Sequence, residues 1–138
     1  MRMTLIAFLT LATGLSGALP AAASCTGIAP SIAGVHLTGS TMNGTVNVYH
    51  FSGRVTNIGS KAEPSNTLQF IDIYEEGVRK DDRGIPPLRP GQSYTFGYDY
   101  QRSTDAGAGT SHLRFQLRMR QPAMAMCSNS RMSYDINF

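Results

Sequence analysis

His112-Leu113-Arg114-Phe115-Gln116-Leu117-Arg118-Met119-Arg120 alternates without interruption, with Leu113, Phe115, Leu117 and Met119 on one side and His112, Arg114, Gln116, Arg118 and Arg120 on the other. Successive side chains of an extended strand point to opposite faces, so a period of two sorts this stretch into an apolar face for a core and a polar face for water. A helix would scatter the same residues around its axis, and the stretch therefore reads as a half-buried strand. Phe115 and Leu117 are expected in the core. Arg114 and Arg118 are expected in solvent, where replacing Arg118 costs little.

The same period recurs on both sides. Residues 93–101 place Tyr94, Phe96, Tyr98 and Tyr100 on one face, and residues 46–57 place Asn47, Tyr49, Phe51, Gly53 and Val55 on another, the aromatic face being the core candidate. Residues 68–75 are denser, with Ile71 and Ile73 against Leu68, Phe70 and Tyr74, as in a strand at the middle of a sheet. Residues 131–138 set Met132, Tyr134, Ile136 and Phe138 against Arg131, Ser133, Asp135 and Asn137, and a short strand is expected around residues 34–37. Between these runs, Glu75-Glu76-Gly77 reads as a tight reversal with glycine where φ must be positive. Arg79-Lys80-Asp81-Asp82 reads as a solvated charged tip in a turn. Pro86-Pro87-Leu88-Arg89-Pro90-Gly91 lacks too many amide donors for a sheet interior and becomes a crossing in which Leu88 plugs one end of the core. About seven strands joined by short turns predict an all-β chain folded as an immunoglobulin-like sandwich of two antiparallel sheets.

The N-terminus follows different rules. Arg2, an apolar run from Leu5 to Leu19 and the small residues Ala21-Ala22-Ala23 have the three parts of a secretory signal peptide, with cleavage expected after Ala23. The run is too short for a membrane-crossing helix, which needs about 20 residues. Residues 1–23 are thus assigned to the signal and residues 24–138 to a single β-sandwich domain, exported to the periplasm or the cell exterior. Loss of Arg2 lowers the net charge from +3 to +2, far short of the dense basic face that nucleic-acid binding requires.

Only two cysteines occur, Cys25 and Cys127. In an oxidising compartment the simplest expectation is a bridge between them. Ala22-Ala23-Ser24-Cys25 is also a permissive lipobox, so lipidation of Cys25, which would leave Cys127 a free thiol, is the alternative.

Three segments, Val55-Thr56-Asn57-Ile58-Gly59, Ile71-Asp72-Ile73-Tyr74-Glu75-Glu76-Gly77 and Leu88-Arg89-Pro90-Gly91-Gln92-Ser93, stand in an order that resembles the CARDB family, the cell-adhesion-related domains of bacteria. The resemblance runs from Gly44 to Phe138. One departure that matters is Cys127-Ser128-Asn129-Ser130-Arg131, where the family usually shows paired asparagines and acids before the last strand. It implies an immunoglobulin-like sandwich that serves as an exported interaction and adhesion module without catalytic residues.

The residues themselves agree on the last point. No G-x-S-x-G elbow is present, and His36, His50 and His112 lack H-x-x-x-H or H-E-x-x-H spacing, so they read as polar strand-face residues and no cofactor is expected. Met119, Met124, Met126, Cys127 and Met132 are soft donors suited to Cu(I), which makes a copper carrier built on Met124 and Met126 the alternative function. Arg114, Arg118 and Arg120 form a row on one strand face. That row is the candidate binding site for an anionic surface polymer or an acidic protein, since guanidinium forks grip such groups well.

Overall fold

The computed structural model of the chain describes residues 25–41, 44–105, 109–120 and 126–138. Residues 1–23, and with them the signal segment and its cleavage point, lie outside the described residues, as does Met124. Among the described residues, seven strands form two sheets. The first holds β1 (Ile28–Thr41), β2 (Val46–Asn57) and β5 (Ser93–Ser103) in the order β1-β2-β5. The second holds β3 (Gln69–Glu75), β4 (Val78–Ile85), β6 (His112–Met119) and β7 (Ser133–Asn137) in the order β4-β3-β6-β7. Every neighbouring pair is antiparallel. The architecture is the expected all-β sandwich.

The inward positions of the alternating runs build the core. Phe51, Val55 and Ile28 from the first sheet face Ile71, Ile73, Leu113, Phe115 and Leu117 from the second, all buried. Phe115 lies at its centre, with ring centroids 6.2 Å from Phe51, 5.6 Å from Phe96 and 6.4 Å from Tyr98. Gly53 gives Phe96 its place, because a Cβ there would stand 2.1 Å from the ring. Leu88 is buried in the same core, as expected of the proline-rich crossing.

Two sequence expectations need correction. The strand around residues 34–37 is a fourteen-residue strand, paired with β2 along its length and interrupted by register shifts at Ile32/Gly34 and Leu37/Gly39. It is an edge strand, which is why Pro30 is tolerated in it. Residues 79–82 are not a turn. They belong to β4, which leaves the reversal at Glu76 (φ 49) and Gly77 (φ 79) and pairs with β3. Four successive charged residues suit a strand here because β4 has a neighbour on one side only, and charge on such an edge opposes pairing with another chain.

The turn motifs act as clamps. Asn57, fully buried, donates its Nδ2 hydrogens to the carbonyls of Lys61 and Leu88 at 3.0 Å each and accepts from the Gly59 amide at 3.0 Å. Gly59 then passes so close to Cys25 that a Cβ would come 2.1 Å from its carbonyl oxygen. A disulfide joins Cys25 to Cys127 across 102 residues, with Cα atoms 5.2 Å apart. It ties the start of β1 to the segment that leads into β7.

Candidate functional site

The outer face of the β4-β3-β6-β7 sheet carries most of the charged chemistry. Asp72 on β3 stands opposite Asp82 on β4 and Gln116 on β6, while Arg118 stands opposite Phe70 and Arg114 opposite both Tyr74 and Asp135. Antiparallel strands bring directly opposed side chains within contact on one face. The alternation of four strands therefore assembles two neighbouring charge clusters.

In the first, Arg118 grips Asp72 with two parallel bonds, Nε to Oδ2 at 2.7 Å and one terminal nitrogen to Oδ1 at 2.9 Å. Arg79 reaches the same carboxylate at 3.3 Å and also pairs with Asp82, which receives Arg118 at 3.3 Å. The Arg118 guanidinium lies 4.6 Å over the Phe70 ring. These contacts leave the Asp72 side chain only 4 % exposed although it stands on the outer face. Arg118 is thus held at its place, its ionised form favoured by the bond to Asp72.

In the second cluster Asp135 accepts from Arg114 Nε at 2.7 Å and lies 3.0 Å from His112 Nε2. The Arg114 bond, followed by His112, holds the Asp135 carboxyl below the usual range. Beside this pair is a depression of about 190 Å³ lined by Tyr74, Gly77, His112, Arg114 and Gln116. The Arg114 side chain remains 47 % exposed.

The predicted arginine row is consequently divided. Arg114 lines a depression, Arg118 is engaged by two carboxylates, and Arg120 lies exposed just past the end of β6, its amide bonded to the Leu68 carbonyl at 2.7 Å. The expectation that Arg118 is a free solvent-facing group with little to lose is corrected: it neutralises an acid that is otherwise out of water. The missing information was Asp72, a single acid between Ile71 and Ile73, and its presence in so apolar a run was the one available signal that a cation must meet it.

The soft-donor alternative fares differently. Cys127 is oxidised and offers no thiolate, while Met119 and Met126 pack against the core. Among the described residues no group of three or more His, Cys, Asp or Glu side chains is gathered as for a metal ion. Among those same residues no helix is long and apolar enough to cross a membrane.

A buried polar cluster lies at the other end of the second sheet. Glu63, 7 % exposed, accepts from Gln69 Nε2 at 2.7 Å through Oε2, whereas Glu63 Oε1, Thr67 Oγ1 and Gln69 Oε1 are buried without a partner among the described residues. Burial raises the Glu63 pKa to about 7 against the opposing pull of hydrogen bonds from Gln69 and the Leu88 backbone.

No family model matches the chain, and no curated protein matches its sequence. Among solved structures, the chain is similar to a CARDB domain from Pyrococcus furiosus, determined in complex with di-metal ions, at a TM-score of 0.58 and 12 % identity over 82 % of this chain and 93 % of that one. It also aligns with a β-glucosidase from Kluyveromyces marxianus in complex with glucose, at a TM-score of 0.41 and 13 % identity, covering 82 % of this chain and 14 % of that one. The first likeness is one of fold.

Proposed function

We propose that this protein is an exported, non-catalytic binding module of the CARDB type, residues 24–138 being the mature domain, and that it holds an anionic polymer of the cell surface on the outer face of the β4-β3-β6-β7 sheet. The depression that Arg114 shares with Tyr74, His112 and Gln116 carries this reading. It combines an exposed cation, an aromatic ring and planar hydrogen-bonding groups on a rigid sheet, the set that receives a carboxylate- or phosphate-bearing unit. Arg120 extends the positive surface beyond it, and Arg118 acts as the brace that keeps β3, β4 and β6 in place. The disulfide and the CARDB-like fold both accord with an exported protein.

The test is retention of the mature domain on an anionic polymer matrix across a salt series. Arg114→Ser is expected to abolish most retention and Arg114→Lys to be intermediate, because charge survives while the two-donor fork is lost. Retention of the wild type is expected to fall as salt shortens the screening length, about 10 Å at 0.1 M. Equal retention of wild type and Arg114→Ser at every salt concentration would overturn the assignment.

A further inference from the structure

Among the described residues the two sheets end in four edge strands, β1 and β5 in the first and β4 and β7 in the second. An edge strand presents unpaired N–H and C=O groups along its outer side, and folded proteins blunt such edges with charge, proline, bulges or shortness. Three of the four are blunted in this way. β4 carries Arg79-Lys80-Asp81-Asp82-Arg83 and a register shift against β3, β7 has 5 residues, and β1 contains Pro30 and two register shifts. β5 has none of these devices: its 11 residues pair with β2 from Ser93 to Ser103 without a shift, and they include no proline or lysine. Among the described residues no strand pairs with its other side.

What that side offers is complementary to itself. Ser93, Thr95, Gly97, Asp99, Gln101 and Ser103 stand exposed on the solvent face, while Tyr94, Tyr98 and Tyr100 pack on the core face only half-buried. A two-fold axis perpendicular to the sheet sets a second β5 antiparallel to the first and keeps each face on its own side, so only residues of like face oppose one another. The register that uses the whole strand centres on Tyr98. It places Gly97 opposite Asp99 of the second copy, Thr95 opposite Gln101 and Ser93 opposite Ser103 on the solvent face. On the core face it places Phe96 opposite Tyr100 and Tyr94 opposite Arg102, and directly opposed aromatic pairs stabilise a sheet. No like charges meet, and the strand's one acid faces a glycine. Arg102, whose guanidinium already lies 5.6 Å from the Phe138 ring centroid, meets a second ring.

We infer that β5 is a self-association edge: two copies of this chain pair antiparallel through β5 about a two-fold at Tyr98, joining their 3-stranded sheets into one continuous sheet. The charged edge of β4 keeps the second sheet from pairing likewise. Backbone pairing along one strand, with aromatic contacts on one side of it, is a small interface, so the dimer dissociates on dilution. The pairing does not depend on the Arg114 depression, which is on the other sheet. Its consequence for binding, two depressions per particle and a firmer hold on a repeating polymer, does rest on the function proposed above.

Sedimentation of the disulfide-bonded mature protein over a concentration series up to millimolar is expected to show monomer and dimer in exchange. Thr95→Glu combined with Gln101→Glu sets like charges opposite each other at two symmetric places and is expected to weaken association by about tenfold. Thr95→Glu combined with Gln101→Lys sets opposite charges there and is expected to associate at least as well as wild type. Both positions are exposed, and Thr95 stands opposite Arg54 on β2, so an acid there is accommodated within the chain. Added salt should narrow the gap between the two variants. Thermal unfolding checks the fold of each, and Thr95→Lys with Gln101→Lys against Thr95→Lys with Gln101→Glu repeats the comparison if an acidic variant is unstable. A protein monomeric at every concentration would overturn the inference, and so would equal association of the like-charged and opposite-charged variants, which would put the interface elsewhere.

Discussion

Replacing Glu63 with glutamine is expected to change the pH dependence of stability more than stability itself. The folded-state pKa of Glu63 is about 7 against an ordinary 4.5, because burial disfavours the carboxylate more than its hydrogen bonds favour it. Below pH 4.5 the group is protonated in folded and unfolded chains alike and has no effect on the balance. Between the two values the unfolded chain ionises first, so stability falls as pH rises, and above 7 the full difference is lost. A shift of about 2.5 units at 1.36 kcal/mol each corresponds to about 3 kcal/mol, a large share of the 5–15 kcal/mol typical of a small domain. Glutamine keeps the shape and cannot ionise. Urea unfolding of wild type and Glu63→Gln from pH 4.5 to 8.5 should therefore give curves that nearly coincide at the acid end and diverge by about 3 kcal/mol at the alkaline end. With m of about 1–3 kcal/mol/M this is a midpoint difference of roughly 1–3 M in favour of the variant. The lowered pKa values of Asp81, beside Arg83, and Asp135, beside Arg114, act below this window and are common to both proteins. Parallel curves would refute the reasoning, for they would mean that Glu63 titrates as a solvated carboxyl.

Asn57→Ala should cost at least about 1–3 kcal/mol, since it strips partners from the Lys61 and Leu88 carbonyls and the Gly59 amide; chemical denaturation of the oxidised protein measures it. Arg118→Ala should lower the urea midpoint more than Arg120→Ala, because Arg118 makes the shorter, two-bond contact with Asp72, and equal midpoints would show that Arg79 suffices for that carboxylate. Replacing Cys25 and Cys127 together with alanine should destabilise by about 2–5 kcal/mol, as the bridge closes a loop of 102 residues, and an unchanged melting temperature would argue against the bond.

Each segment held a different kind of information. The period of two in residues 112–120 assigned Phe115 and Leu117 inward, and both are buried. Turn chemistry was equally legible: Gly77 and Gly91 both have positive φ, and the Gln92 amide closes on the Arg89 carbonyl at 2.9 Å around Pro90-Gly91. The charged run 79–82 was misread because an edge strand tolerates residues that a central strand would exclude, and nothing local distinguishes it from a polar turn. β1 was underestimated for a related reason, its length being dictated by the strand it pairs with.

The candidate sites were legible only as parts. The sequence by itself determined the side of each strand on which a residue stands, because alternation is a property of one extended chain, and it limited any internal disulfide to Cys25 and Cys127 because there were only two to join. Which residue stands opposite which was decided by the tertiary structure alone. Register depends on loops and bulges that no local pattern encodes, and a shift of one residue would turn a strand's side chains to the other face. That is why Arg118 proved to be the partner of Asp72 across 46 residues, and why Arg114 shares its depression with Tyr74 and His112.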